Sequence, residues 1–66
     1  MNVQYEWQRS EDGVNWEPVN ADYVDVALAG TFTREGRERA MTHMYENPGR
    51  EVRTTFAVYR CVTREV

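Results

Sequence analysis

The side chains best able to do chemistry are few in this sequence. His43 is the only histidine and Cys61 the only cysteine among 66 residues. A zinc site needs several such ligands together, and a nucleophilic cysteine needs a neighbouring base that lowers its pKa. Ser10 and Asp12 with His43 supply the residue types of a hydrolytic triad, but Ser10–Gly13 is ordinary hairpin-turn chemistry. We therefore expect no enzyme activity, metal or cofactor, with His43 in solvent and Cys61 within a sheet.

Arginines form the most suggestive charged pattern, because every basic residue is an arginine. Arg34, Arg37 and Arg39 stand near the start of a predicted helix, where guanidinium groups can bind a phosphate or a partner's carboxylates. Glu35 and Glu38 alternate with them. This compensation favours the other interpretation, a solvated helix face.

A second arginine series, Arg50, Arg53, Arg60 and Arg64, flanks the last predicted strand. Arg60 falls on the same alternating face as several apolar residues, where an unpaired charge would be costly. It marks a bulge, a buried ion pair or an interface.

Aromatic residues offer two interpretations. Trp7 and Trp16 should face each other across a hairpin, where aromatic cross-strand pairs stabilise a small sheet. Together with Tyr5, Phe56 and Tyr59, Trp7 could instead form a stacking platform for nucleic-acid bases. We favour a core role, because the core otherwise lacks large residues.

Charge and hydropathy exclude several classes of protein. A net charge of −3 argues against a general electrostatic grip on nucleic acid, which requires clustered positive charge. The longest apolar run, Val26–Ala29, is far too short to cross a bilayer. A single cysteine and the lack of an apolar leader predict a reducing, cytoplasmic setting.

Alternation of apolar and polar residues predicts a half-buried strand over residues 3–8. Ser10–Gly13 then supplies a turn in which Gly13 is free to take a positive φ, and alternation resumes over residues 14–18. The sequence therefore begins with a β-hairpin.

The middle of the chain should contain one helix. Ala21–Ala29 fits either a short strand through Val24, Val26 and Leu28 or a helical turn, and we expect a strand or extended connector. Arg34–Asn47 has apolar residues at helical spacing after Thr33, a suitable N-cap. Proline and glycine at positions 48 and 49 should end this helix.

Residues 51–63 read as one long strand that presents Val52, Phe56, Val58 and Val62 on one face. Such a strand would span roughly 43 Å, whereas a domain of this length has a radius of gyration of about 11 Å. It should therefore overhang and expose an edge that another chain covers. This predicts a homodimer or another protein partner through the last strand.

Together these patterns predict a single α+β domain over residues 1–66. It should have an antiparallel sheet of three or four strands, with one helix packed on one face. The candidate interaction residues are Arg34, Arg37, Arg39, Arg53, Tyr59, Arg60 and Cys61.

The hairpin resembles those of phage structural β-domains in its Trp, Ser, Asp-Gly, Trp pattern, carried here by Trp7, Ser10, Asp12, Gly13 and Trp16. The amino-acid composition is typical of a GC-rich genome, and the chain resembles small phage or mobile-element proteins from actinobacterial backgrounds. The resemblance implies a stability motif and no functional residue. The expected function is stoichiometric binding to a macromolecular partner, with nucleic-acid binding as the alternative and an enzyme or ligand-binding protein as the least favoured.

Overall fold

Four antiparallel strands form one sheet in the order β2-β1-β4-β3. The computed structural model describes residues 2–66. Its elements are β1 (Val3–Ser10), β2 (Glu17–Val19), α1 (Ala21–Ala29), α2 (Arg34–Glu46), β3 (Val52–Arg53) and β4 (Val58–Glu65). The predicted α+β class and antiparallel sheet are confirmed. The prediction of a single helix is wrong, because residues 2–66 contain two.

Both helices pack on the same face of the sheet. The core joins Val24 and Leu28 of α1 and Met44 of α2 to Tyr59 and Cys61 of β4. Trp7, which lies opposite Cys61 in the neighbouring strand, packs against this cluster. Burial of these apolar side chains is the main favourable term for folding.

The second helix arises where we expected an extended connector. Asn20 caps α1, because its side-chain oxygen accepts a hydrogen bond from the Tyr23 amide at 2.8 Å. Val24 and Leu28 are fully buried, whereas Val26 is 72% exposed. A strand would place these three residues on one side, but helical spacing turns only the pair four residues apart toward the core. Packing against α2 and the sheet decided the structure of this segment.

Helix α2 begins and ends as predicted. The Thr33 hydroxyl accepts a hydrogen bond from the Gly36 amide at 3.1 Å. After Asn47 the chain reverses at Gly49, which has a φ of 92°. That left-handed conformation favours glycine.

The predicted long strand over residues 51–63 is wrong. A turn over residues 54–57 divides it into β3 and β4, which pair with each other. The Thr54 hydroxyl closes this turn by donating to the Ala57 carbonyl at 3.0 Å and accepting from the Ala57 amide at 3.2 Å. Phe56 lies in the turn and is 84% exposed.

The turn also changes which residues face the helices. Val52 pairs with Tyr59, so Tyr59 and Cys61 point toward α1 and α2. Val58 and Val62 therefore lie on the opposite face from Val52, not on the same face as we expected. Continuous alternation fails because the turn shifts the side-chain phase by one residue.

Truncating a buried side chain of α1 should destabilise the fold far more than truncating an exposed one. Leu28→Ala should lower the free energy of unfolding by about 2–5 kcal/mol, because it removes buried methyl groups and leaves a cavity. Val26→Ala in the same helix is the matched control and should cost much less. Urea unfolding monitored by circular dichroism measures both, and equal losses would contradict the helical assignment of this segment.

Candidate interaction surface

No helix or second sheet covers the face of the sheet opposite the helices within residues 2–66, although Ser10 and Val58 on this face are buried. We call it the open face. Strand alternation and register place Gln8 beside Arg60 and Glu6 beside Val62 on this face. Arg53, which pairs with Val58, lies on it at the β3 edge. Its residues are Gln4, Glu6, Gln8, Ser10, Trp16, Pro18, Arg53, Val58, Arg60, Val62 and Arg64.

The loop between β1 and β2 delivers Trp16 to the open face. The Asp12 carboxylate accepts hydrogen bonds from the Val14 and Asn15 amides, each at 2.8 Å, and from the Ser10 hydroxyl at 2.9 Å. The amides of Asn15 and Val14 hold the pKa of Asp12 well below its usual range. Gly13, with a φ of 79°, completes the reversal, as predicted. The loop is therefore internally braced.

The predicted contact between the two tryptophans is absent. Trp7 lies opposite Val19 and faces the helices, because the loop runs over residues 11–16 and β2 begins only at Glu17. Trp16 lies on the other side of the sheet. There its ring stacks with the Arg60 guanidinium, whose central carbon is 3.9 Å from the ring centroid.

Arg60 is held from two sides. Trp16 supplies a cation–π contact, which contributes about 0.5–2 kcal/mol depending on exposure. Gln8 lies opposite Arg60 across the ladder, and its side-chain oxygen accepts a hydrogen bond from Arg60 Nε at 2.8 Å. Within residues 2–66, Nε is the one side-chain nitrogen of Arg60 with a hydrogen-bond acceptor. The outer edge of the guanidinium is therefore fixed in position and unengaged.

A row of polar contacts continues from Gln8 along the open face. Gln8 Nε2 donates to the Glu6 carboxylate at 2.6 Å, and Arg64 donates to the other oxygen of Glu6 at 2.8 Å. Glu6 is therefore occupied by Arg64 and Gln8 and does not neutralise Arg60. Because Gln8 uses both ends of its amide, it fixes the orientation of Arg60 relative to this pair.

Arg60 is set apart from the other arginines by burial and charge. Among residues 2–66, Arg39, Arg50, Arg53 and Arg60 have no carboxylate within 4 Å, and of these four only Arg60 is partly buried. A partly buried charge without an opposite charge is unusual. The ion pairs of the other arginines are Arg9 with Glu11 and Glu17, Arg34 with Glu38, Arg37 with Asp25, and Arg64 with Glu6.

The three arginines predicted to cluster near the start of α2 do not converge. Arg34 is exposed and pairs with Glu38 at 3.7 Å on its own helix. Arg37 reaches Asp25 of α1 at 3.4 Å and so links the two helices. Arg39 lies along a groove between α2 and β3, away from Arg34 and Arg37.

Two predicted interaction residues lie inside the fold. Tyr59 and Cys61 are buried beneath the helices, so neither is available to a partner. Burial raises the pKa of the Cys61 thiol, which disfavours the reactive thiolate. Within residues 2–66, no group of three or more His, Cys, Asp or Glu residues could hold a metal ion. His43 is exposed, as predicted.

Sequence reasoning singled out Arg60 because its charge fell on an apolar alternation. It missed Gln8 and Glu6, and it assigned Trp16 to the wrong face. A sign of their role was present in the sequence, since Glu6 and Gln8 share the strand face opposite Trp7. Only the β1–β4 register shows that they lie beside Val62 and Arg60.

Comparison with known proteins gives no relative. No protein-family model, curated protein or solved structure matches the chain. The resemblance of the hairpin to phage β-domains therefore stays a prediction. Within residues 2–66, neither helix has the length and apolar character needed to span a membrane.

Acid should selectively weaken the loop that positions Trp16. Because the folded-state pKa of Asp12 is depressed, its carboxylate contributes stability that is complete above about pH 4, the ordinary aspartate pKa. This contribution should disappear as the pH falls through the folded pKa. Asp12→Asn should therefore be less stable than the wild type at neutral pH, and the difference should narrow in acid.

Urea unfolding at several pH values measures this difference. Glu46→Gln, at an exposed position at the end of α2, controls for the loss of one negative charge. If the difference in free energy of unfolding between the wild type and Asp12→Asn stays constant down to the lowest pH, the charged carboxylate does not have this role.

Proposed function

We propose that this protein is a non-enzymatic interaction module that binds an acidic segment of a protein partner stoichiometrically through the open face. The observation that carries the proposal is Arg60, a partly buried arginine with no carboxylate partner within residues 2–66. A partner's carboxylate would supply the missing opposite charge. The proposal includes the cytoplasmic setting and the phage-type origin expected from the sequence.

The geometry of Arg60 suits a carboxylate. Guanidinium groups bind carboxylates through two parallel N–H···O bonds, and stacking on an aromatic ring leaves the edge of the fork free to do so. Trp16 and Gln8 restrict the side chain before binding, so less conformational entropy is lost when a ligand arrives. Such preorganisation is what separates a recognition arginine from a mobile surface one.

The surroundings of Arg60 favour an acidic peptide. Arg53 shares the open face, and the one acidic residue on this face, Glu6, is already paired with Arg64. Two exposed apolar residues, Val14 and Phe56, lie in the loops at the end of the sheet where Ser10 pairs with Val58. They can contact apolar residues that flank the acidic one. Burial of this apolar surface against the peptide adds affinity, while the charge pair adds specificity.

Nucleic acid is the less favoured partner. The open face has a stacked aromatic residue and three arginines, but Glu6 neutralises one of them. The molecule carries a net charge of −3, which opposes binding to a phosphate backbone. The experiment must therefore distinguish nucleic-acid binding from peptide binding.

Selection from a yeast-displayed library of random peptides tests the proposal. The wild-type protein should enrich peptides that contain Asp or Glu beside an apolar residue. Arg60→Gln should weaken binding of a selected peptide by about tenfold or more, because a hydrogen bond to a charged group contributes about 1.5–3 kcal/mol. Arg60→Lys should also bind more weakly, since an ammonium group lacks the planar fork.

Arg34→Gln is the matched control, because Arg34 is exposed and pairs only with Glu38 of its own helix within residues 2–66. Its affinity should equal that of the wild type. Enrichment of peptides without acidic residues, or equal loss in the two Arg→Gln variants, would overturn the proposal. Fluorescence anisotropy with single-stranded oligonucleotides at two salt concentrations covers the alternative, and tight salt-dependent binding lost in Arg60→Gln would favour nucleic acid instead.

A further inference from the structure

The two central strands extend beyond their neighbours. β1 and β4 pair over eight residues, but β2 covers only Trp7–Arg9 of β1, and β3 covers only Val58 and Tyr59 of β4. Beyond these points the sheet is a two-stranded ribbon of residues 3–6 and 62–65. Its outer edges have no strand neighbour within residues 2–66.

The direction of the backbone groups along this ribbon follows from two hydrogen bonds. The Val66 amide donates to the Asn2 carbonyl, so the even-numbered residues of β1 direct their backbone groups toward β4. The Cys61 carbonyl points away from β1, because it accepts the Gly49 amide at 2.8 Å. Val3 and Tyr5 therefore direct their amides and carbonyls outward. Within residues 2–66 these groups have no backbone partner.

The other sheet edges are less able to accept a strand. Alternation directs the Pro18 nitrogen outward from β2, where it cannot donate a hydrogen bond. β3 has two residues, and of these only Arg53 directs its backbone groups outward, because Val52 pairs with Tyr59. On β4, the segment around Gly49 occupies the edge at Cys61. Thr63 and Glu65 of β4 also direct their backbone groups outward, but β4 carries charged side chains there, so we favour the uncovered edge of β1 as the one that a further strand extends.

We propose that a second copy of this chain occupies this edge, with the two β1 strands antiparallel about a twofold axis at Gln4. In this register, Val3 lies opposite Tyr5 of the partner subunit, and Tyr5 lies opposite Val3 of the partner subunit. Both are hydrogen-bonded pairs, so all four outward amides and all four outward carbonyls of the dimer are satisfied. Asn2 lies opposite Glu6 of the partner subunit, which pairs an amide donor with a carboxylate.

Other self-pairing registers are less favourable. Centring on Tyr5 would place Val3 of the partner subunit opposite Trp7, a position that Val19 already holds. Centring β4 on Thr63 would place Glu65 of the partner subunit at Cys61, where Gly49 is bound. Centring β4 on Arg64 or on Glu65 would place two like charges opposite each other, which is destabilising. The neighbours that already occupy both edges and the like charges on β4 together favour the Gln4 register.

Apolar side chains lie along the same edge. Val3 is 52% exposed and Tyr5 is 43% exposed, and the Tyr5 ring stacks on Tyr45 of α2 with centroids 4.4 Å apart. In the dimer, Val3 of the partner subunit lies beside Tyr5 and reduces this exposure. Two residues of each strand form this contact, which buries less area than a standard stable interface. The dimer should therefore be weak and depend on concentration.

The twofold axis at Gln4 stands perpendicular to the sheet, since paired residues of antiparallel strands share a face. Both open faces therefore point the same way, and the dimer presents two Arg60 sites on one continuous sheet. A partner with two acidic segments would gain avidity from this arrangement. This consequence rests on the proposed function, whereas the dimer itself does not.

Register-specific disulfide formation tests the dimer. Gln4→Cys places a thiol at the twofold axis, in a non-hydrogen-bonded pair whose Cα atoms lie about 4.5 Å apart, within disulfide range. Under mild oxidation this variant should form a reducible dimer about tenfold faster than Thr42→Cys, an exposed control on α2. Faster cross-linking of Val3→Cys than of Gln4→Cys would refute the register.

Sedimentation equilibrium gives an independent readout on the unmodified chain. The weight-average mass should rise from that of a monomer toward twice that value between micromolar and millimolar concentration. Val3→Pro should remain monomeric, because it removes an outward amide but no β1–β4 hydrogen bond, and circular dichroism verifies its fold. A wild type that stays monomeric at millimolar concentration, or cross-linking of Gln4→Cys no faster than the control, would overturn the dimer. Arg60→Gln should associate like the wild type, which keeps this result separate from that of the open face.

Discussion

The pairing of β1 with β4 holds the molecule together. Its partners are distant in sequence, and it aligns Trp7 with Cys61 on one face and Gln8 with Arg60 on the other. The first pair belongs to the hydrophobic core, and the second belongs to the candidate interaction surface. Because side chains alternate along a strand, a slip of one residue would exchange the two sets. The register of this ladder therefore sets stability and recognition together.

The small number of elements within residues 2–66 imposes the other constraint. Two short helices cover one face of the sheet, and residues 2–66 contain no further element to cover the second. That second face is stabilised by polar contacts, with Arg60 bound by Trp16 and Gln8, and Glu6 bound by Arg64. These contacts fix the side chains of a sheet face that no helix covers. They also place a fixed positive charge where a partner can reach it.

The two ends of the sheet also differ in how well they are covered. At one end, β2 and β3 flank the central pair, and two braced loops expose Val14 and Phe56. At the other end no strand flanks the central pair within residues 2–66, and Val3 and Tyr5 present backbone groups without a partner in this range together with exposed apolar side chains. Edge strands in natural sheets are usually short or blocked by proline. β2 and β3 follow this rule, whereas the free part of β1 does not.

The sequence by itself determined the local features: the first strand, the turn at Gly13, the Thr33 cap, helix α2 and the reversal at Gly49. Each depends on neighbouring residues whose conformational preferences agree, so periodicity and turn chemistry suffice to predict it. Tertiary structure decided the rest. Ala21–Ala29 is helical because Val24 and Leu28 reach the core together only at helical spacing, and the Thr54 turn reversed the faces of β4. The site around Arg60 joins residues from β1, β4 and the intervening loop, so no local pattern could assemble it, and only the long-range register could bring Gln8 and Trp16 to the same arginine.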